Sequence, residues 1–149
     1  MSSDPVGKVV IIVGPTAVGK SDLAIALAGS MNAEIISLDS RLLYRGMDIG
    51  TAKPSIEERK KVVHHLFDVA NPDETWSLGK FNQEVIKNIE QVINKGSLPI
   101  LVGGTGQYVR SLTEGWDIPQ VEPVPVMREV IEAWAKDLGN KALHKKMSI

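Results

Sequence analysis

A strand, a glycine-rich loop and a helix start follow one another in residues 9 to 21, and this arrangement most constrains the fold. Residues 9 to 13 are all β-branched, which is typical of a strand buried on both faces of a parallel sheet. The next eight residues match the pattern G-x-x-x-x-G-K-[ST]. They are Gly14, Pro15, Thr16, Ala17, Val18, Gly19, Lys20 and Ser21, and we call them the phosphate loop.

The phosphate loop predicts that the protein binds a small molecule that carries a diphosphate. Its glycines let successive backbone N–H groups point at phosphate oxygens, and the following helix N-terminus adds positive potential. Lys20 neutralises charge, and the Ser21 hydroxyl can hold Mg²⁺. The loop alone does not choose among kinases, ATPases, GTPases and transferases, because each needs the same cradle.

The rest of the pattern predicts an α/β fold of the P-loop NTPase type, a mostly parallel sheet with flanking helices. Strand patterns at residues 34 to 38 and 98 to 102 alternate with helix patterns at 21 to 31, 55 to 63, 77 to 95 and 106 to 113. Ser55 and Glu58 form a capping-box pattern at the start of the second helix. We expect a partial core over residues 1 to 116.

The character of the sequence changes after that core. Three prolines between residues 117 and 125 indicate a connector, and an amphipathic helix is predicted for residues 126 to 138. We therefore expect residues 117 to 149 to hold a connector and the beginning of a separate helical element.

Composition excludes several classes of protein. The 149 residues contain no cysteine, so a disulfide framework, a thiolate metal site and a cysteine nucleophile are absent. The formal net charge of -1 gives no global field to attract a polyanion, so any nucleic acid needs a local basic patch. The short polar N-terminus and its brief apolar run predict no signal peptide and no membrane span. We expect a cytoplasmic monomer.

Asp39 stands at the end of the second predicted strand, where a carboxylate can reach a ligand on the phosphate loop. Three roles are open for it. It can assist Mg²⁺ binding, act as a general base toward an incoming nucleophile, or simply cap the turn that follows.

Two further loops are candidates for contact with the ligand. Residues 48 to 54 place Thr51 and Lys53 before a helix, where a hydroxyl and an ammonium can approach phosphate, or they form an ordinary loop. Gly103 and Gly104 permit close backbone approach and direct Thr105 to the same cleft, or they make only a tight turn. The pair His64 and His65 lacks a third ligand at a convincing spacing, so a zinc site is disfavoured.

Taken together, residues 14 to 21, 37 to 54 and 103 to 108 resemble the tRNA dimethylallyltransferases, also called tRNA isopentenyltransferases. The resemblance implies transfer of a dimethylallyl group from dimethylallyl diphosphate to N6 of an adenosine next to the tRNA anticodon. It implies Mg²⁺ as cofactor and no ATP hydrolysis, although the loop is of the nucleotide-binding, ATP-binding type.

The resemblance also implies roles for individual residues. The phosphate loop would hold the allylic diphosphate, with Lys20, Ser21 and Mg²⁺ stabilising the leaving pyrophosphate. Asp39 would accept the proton of the adenine amino group. The tRNA site would be formed by Asp39, Ser40, Arg41, Leu42 and Thr105, with Thr105 also contacting the reacting groups.

The chain departs from the family in two ways. Many members carry Gln where this chain has Leu42, so a hydrogen bond to the target nucleotide is absent or supplied elsewhere. Family members also continue well beyond 149 residues, and the family's later arginine-bearing substrate motif has no counterpart here. We therefore expect a fragment, and whether it is active by itself is left open.

The alternative functions are a small-molecule kinase, an isopentenyltransferase for free adenosine phosphates, and a non-catalytic diphosphate-binding module.

Overall fold

The structure of the protein is a computed structural model that describes residues 7–49, 53–104, 106–116, 118 and 124–148. The chain divides into two compact units, Met1–Ile118 and Pro119–Ile149. Each unit is described by itself.

The first unit is built on a parallel sheet. Its described strands are β1 (Val10–Val13), β2 (Ala33–Ser37), β3 (His64–His65) and β4 (Leu98–Gly103), in the spatial order β1-β4-β2-β3. Val10 pairs with Ile100 and Ile35 pairs with both Ile100 and His64. Because the strands are parallel, their carboxyl ends meet at one edge of the sheet. The α/β fold with a parallel sheet and flanking helices, expected from the sequence, is confirmed.

Two hydrophobic clusters cover the two faces of the sheet. One contains Ile35 and Ile100 and includes Ala24 of α1 (Lys20–Ser30). The other contains Ile36 and Leu101, with side chains of α3 (Leu78–Asn94) packed against them. Neighbouring residues of a strand point to opposite faces, so each central strand contributes to both clusters.

Strand β1 is more exposed than the sequence predicts. The β-branched run indicates burial on both faces, but Val10 is 36% exposed, Ile11 37% and Val13 55%. The reason is position: among the described residues β1 pairs only with β4 and lies at the edge of the sheet.

The helix patterns are confirmed, with local signals at their ends. Helix α2 (Ile56–Lys61) begins at the predicted capping box, in which Ser55 and Glu58 each bind the other's backbone N–H. Helix α3 has Ser77 as its N-cap. The chain leaves α3 through Gly96, whose φ of 77° favours glycine.

Three short elements were not predicted. A 3₁₀ turn (Ser40–Leu43) follows Asp39, and β3 contains only two residues. Helix α6 (Asn140–Met147) lies in the second unit. Elements this short give little periodic signal in a sequence.

The remaining helices are α4 (Gly106–Thr113) in the first unit and α5 (Pro125–Leu138) in the second. Tyr108 of α4 packs against Phe81 of α3, with ring centroids 4.3 Å apart. In the second unit, Lys146 of α6 lies 4.0 Å from the ring centroid of Trp134 on α5. Within the part of the chain that the structure describes, no helix combines the length and apolar character needed to span a membrane.

Candidate functional site

A cleft of about 520 Å³ lies at the carboxyl ends of the strands, between the phosphate loop and the 3₁₀ turn. Nine of the residues predicted from the sequence line it: Pro15, Thr16, Ala17, Gly19, Lys20, Ser21, Asp39, Arg41 and Leu42. Gly14, Val18 and Ser40 belong to the same segments but are not among its described lining residues. Thr105 lies outside the described residues, so its place remains a prediction.

The phosphate loop has the backbone shape of an anion site. Ala17 and Gly19 have φ values of 64° and 82°, and α1 begins directly after Gly19. The first intrahelical bond is donated by the N–H of Leu23 to the carbonyl of Gly19. The N–H groups of the preceding residues have no partner within the helix, so they are placed to bind phosphate oxygens at the positive end of its dipole.

Lys20 is folded back over its own loop. Its Nζ donates a hydrogen bond of 2.5 Å to the carbonyl oxygen of Pro15. A phosphate oxygen entering the loop can replace that carbonyl as a stronger, charge-assisted partner. The Lys20 ammonium therefore already lies where it can bind a phosphate oxygen in the phosphate loop.

Asp39 faces the phosphate loop across the cleft and also caps a turn. Its Oδ1 accepts a hydrogen bond of 3.0 Å from the backbone N–H of Arg41, and Nε of Arg41 lies 3.6 Å from the same oxygen. Its Oδ2 has no hydrogen-bond partner among the described residues. The turn-capping role is therefore real, and it leaves the second carboxylate oxygen without a partner in the part of the chain that the structure describes, on a side chain that is 24% exposed.

The glycine pair at the end of β4 allows the two sides of the cleft to approach each other. A Cβ on Gly103 would come within 2.6 Å of the Leu38 side chain, and one on Gly104 would lie 3.1 Å from the carbonyl oxygen of Gly14. The close backbone approach expected from the sequence is present, and it brings the end of β2 beside the phosphate loop.

The opposite wall of the cleft contains Pro54, the last residue of the candidate loop at 48 to 54. It also contains His64 and Phe67, which were not predicted from the sequence as site residues. The His64 ring meets the Phe67 ring edge to face at 5.2 Å, and its Nδ1 lies 2.7 Å from the carbonyl oxygen of Val62. Burial lowers the pKa of His64, with a further contribution from Arg59. His64 lies in the two-residue strand β3, and the paired histidines were the only sign of it in the sequence.

A family model described as IPP transferase matches residues 42–148 of this chain. The chain belongs to the IPP transferase family. The expected family resemblance is thereby confirmed.

Relatives from several bacteria carry one name. A tRNA dimethylallyltransferase of Roseiflexus sp. (strain RS-1) is 49% identical over 93% of this chain and 46% of its own length. One from Herpetosiphon aurantiacus is 50% identical over 93% of this chain and 44% of its own length. This chain therefore spans slightly less than half the length of the relatives it matches.

Solved structures agree with the family. The full-length tRNA isopentenylpyrophosphate transferase of Bacillus halodurans superimposes with a TM-score of 0.72 at 43% identity, covering 95% of this chain and 46% of that one. A eukaryotic dimethylallyltransferase acting on tRNA superimposes with a TM-score of 0.67 at 28% identity, covering 89% and 37% respectively.

The residues of the cleft fit a Mg²⁺ ion bound together with a diphosphate. No group of three His, Cys, Asp or Glu side chains suited to a metal occurs among the described residues. Mg²⁺ at a phosphate site needs only one or two protein oxygens, since phosphates and water supply the rest. The Ser21 hydroxyl lines the same cleft and provides such an oxygen.

Lys53 is not directed at the phosphate loop. Its Nζ binds Asp48, Asp68 and the carbonyl oxygen of Tyr44, and its side chain is only 3% exposed. Of the two interpretations of this loop, an ammonium near phosphate is thus wrong for Lys53. Thr51 lies outside the described residues.

Proposed function

We propose that this chain forms the diphosphate-binding and catalytic part of a tRNA dimethylallyltransferase. It transfers a dimethylallyl group from dimethylallyl diphosphate to N6 of an adenosine next to the anticodon of tRNA. One observation carries the proposal: the cation Lys20 and the partly unpaired carboxylate of Asp39 line one cleft from opposite sides. The names of the relatives support it.

The reaction needs both sides of the cleft. The bond from C1 of the allyl group to the diphosphate oxygen breaks, and its electron pair leaves with pyrophosphate. The N6 lone pair forms the new bond to C1, and the amino group then loses a proton. Lys20 and the amino end of α1 stabilise the negative charge on the leaving oxygen, while Oδ2 of Asp39 accepts the proton.

The apolar wall suits the hydrocarbon part of the donor. Leu42, Pro54 and Phe67 line the cleft together with the polar residues, and an apolar, water-poor surface protects an allylic centre from reaction with water. Ser40, Arg41 and Leu42 border the adenosine site beside Asp39 in this proposal, and Thr105 contacts the tRNA or the reacting groups.

Ser21 would hold Mg²⁺, which would supply further charge neutralisation to the departing pyrophosphate. With its formal net charge of -1, the chain offers tRNA no global attraction, so a local patch must bind it. We propose a cytoplasmic monomer as the working state, with tRNA and dimethylallyl diphosphate as partners.

The Asp39→Asn variant tests the role of the carboxylate most cleanly. Asparagine is also a good cap, so the 3₁₀ turn is kept while the proton acceptor is lost. We expect unchanged affinity for magnesium pyrophosphate by calorimetry and a loss of transfer of roughly 10²- to 10⁴-fold. Equal loss of binding and transfer would contradict the role of Asp39.

A second candidate is a non-catalytic module that keeps diphosphate affinity without turnover. The observation in its favour is that the chain spans less than half of its relatives. Pyrophosphate binding without any transfer to tRNA would select this candidate.

A further inference from the structure

The ammonium of Lys53 is the centre of a polar cluster beside the cleft, and the Lys53 side chain is only 3% exposed. Its Nζ lies 2.6 Å from Oδ1 of Asp68, 2.8 Å from Oδ1 of Asp48 and 2.7 Å from the carbonyl oxygen of Tyr44. Oδ2 of Asp68 accepts a further bond of 2.6 Å from Nη1 of Arg59. We name these four charged side chains, Asp48, Lys53, Arg59 and Asp68, the lysine cluster.

We propose that Lys53 is a positioning residue whose ion pair with Asp68 fixes the 3₁₀ turn that carries Asp39 against the wall that carries Phe67. This inference rests on the proposed function, because it gives the lysine cluster a role in the same cleft. Lys53 itself is not a catalytic residue, since its buried side chain does not line the cleft.

A backbone ladder runs beside the lysine cluster. The N–H of Asp68 donates to the carbonyl of Leu42 over 3.1 Å, and the N–H of Val69 donates to that of Leu43 over 2.8 Å. Tyr44 forms an isolated parallel bridge with Ala70. The Lys53 ammonium joins the same two segments from the side, because it binds the carbonyl of Tyr44 and the carboxylate of Asp68.

The segment on the far side of the ladder has an unfavourable backbone. Leu66 and Asp68 have φ values of 62° and 53°, in the left-handed region, on either side of Phe67. Such conformations persist only where surrounding contacts hold them. The two cations bound to Asp68 are contacts of this kind, and the conformation they hold keeps Phe67 in the wall of the cleft.

The charges within the lysine cluster balance. Burial would lower the pKa of Lys53, but the hydrogen bonds from its ammonium to Asp48 and Asp68 outweigh burial and raise it. Burial would raise the pKa of Asp68, but the bonds it accepts from Lys53 and Arg59 outweigh burial and lower it. Lys53 and Asp68 therefore both stay ionised at neutral pH, as an ion pair that holds two segments together requires.

The lysine cluster also contacts Pro54, a further residue of the cleft wall. Lys53 is joined directly to Pro54, which lines the cleft, and the carbonyl of Pro54 accepts a 3.0 Å bond from Nε of Arg59. Loss of the ammonium is thus expected to loosen the wall opposite the phosphate loop while leaving the phosphate loop itself intact.

The test compares Lys53→Met with Lys60→Met in this chain, by hydrogen exchange with mass spectrometry. Lys60 is an exposed lysine of α2 for which the described residues offer no polar partner. We expect peptides covering residues 39–45 and 66–70 to exchange at least tenfold faster in Lys53→Met. Peptides of α1 and β4, and the affinity for magnesium pyrophosphate, should remain as in the unchanged chain.

Transfer to tRNA gives a second readout. In Lys53→Met the turnover number should fall at least tenfold, and KM for dimethylallyl diphosphate should rise because the loosened wall contacts its hydrocarbon part. Magnesium pyrophosphate, which lacks that part, should bind as it does to the unchanged chain. If the unchanged chain transfers nothing, the proposed function fails for it, and hydrogen exchange still decides the positioning role.

The opposite results would overturn the inference. They are unchanged exchange in residues 39–45, or faster exchange spread evenly over the whole chain. Should Lys53→Met fail to fold, Asp68→Asn breaks the same pair at constant size and carries the same expectations. In the double variant that combines Lys53→Met with Asp68→Asn, the effects should be less than additive. Each change alone already removes the ion pair between Lys53 and Asp68.

Discussion

A Cβ atom placed on Gly103 would lie 2.6 Å from the Cβ of Leu38 and 2.9 Å from the Leu38 carbonyl oxygen. Leu38 directly precedes Asp39, and Gly103 ends β4 beside the phosphate loop. The distance between Asp39, the proposed base, and the phosphate loop therefore depends on the absence of a side chain at Gly103.

The Gly103→Ala variant should displace the end of β2 together with Asp39. We expect the free energy of unfolding to fall by about 1–3 kcal/mol, as in overpacked cores, and transfer to fall more than pyrophosphate affinity. Urea denaturation and calorimetry measure the two effects. Gly29→Ala is the matched control, because a Cβ there meets nothing within 4 Å and should stabilise α1 slightly. Wild-type stability in Gly103→Ala would contradict this account of the turn.

Features that depend on neighbouring residues were predictable from the sequence. The phosphate loop and the cap of α2 at Ser55 each rest on contacts within a few positions. Their physics is local, so the pattern of residue types alone indicates the structure. The same holds for Asp39, whose turn-capping bond reaches only to Arg41.

Features that depend on distant residues were not predictable. Lys53 pairs with Asp68, 15 positions away, and the sequence of the loop at residues 48 to 54 does not indicate the direction of the Lys53 side chain. His64 and Phe67 enter the cleft only because β3 pairs with β2. The exposure of β1 follows from its place in the sheet, which its own composition does not reveal.

Replacing Lys20 with Ala should weaken diphosphate binding. The change removes a charge-assisted hydrogen bond worth about 1.5–3 kcal/mol, which corresponds to roughly 10- to 100-fold in affinity. Calorimetric titration with magnesium pyrophosphate measures it. Lys60→Ala serves as control and should bind as the unchanged chain does. An affinity unchanged in Lys20→Ala would show that the phosphate loop is not the diphosphate site.

The ion pairs of Glu34 should make stability depend on pH. Glu34 lies near the amino end of β2, where Nε2 of His65 approaches it at 2.6 Å and Nζ of Lys95 at 3.2 Å. Burial would raise the pKa of Glu34, but these two hydrogen bonds outweigh it and lower the pKa below its ordinary value of 4.5. Since the folded pKa is lowered, this stabilisation is present above pH 4.5 and disappears as pH falls through the folded pKa.

Glu34→Gln should therefore cost about 1.5–3 kcal/mol of unfolding free energy at pH 7, and the cost should shrink as the pH falls below 4.5. Denaturation curves across this pH range give the result, with the exposed Glu90→Gln as control. Pyrophosphate affinity should not change, because Glu34 does not line the cleft. A cost that is independent of pH would contradict the role given to the ionised carboxylate.

The most direct measurement is transfer of labelled dimethylallyl from its diphosphate by this chain, with unmodified tRNA, AMP and ATP offered together as acceptors. We predict label in tRNA, none in AMP or ATP, and a loss of label in tRNA of roughly 10²- to 10⁴-fold with Asp39→Asn. Label in the free nucleotides, or pyrophosphate binding without any transfer, would contradict this prediction.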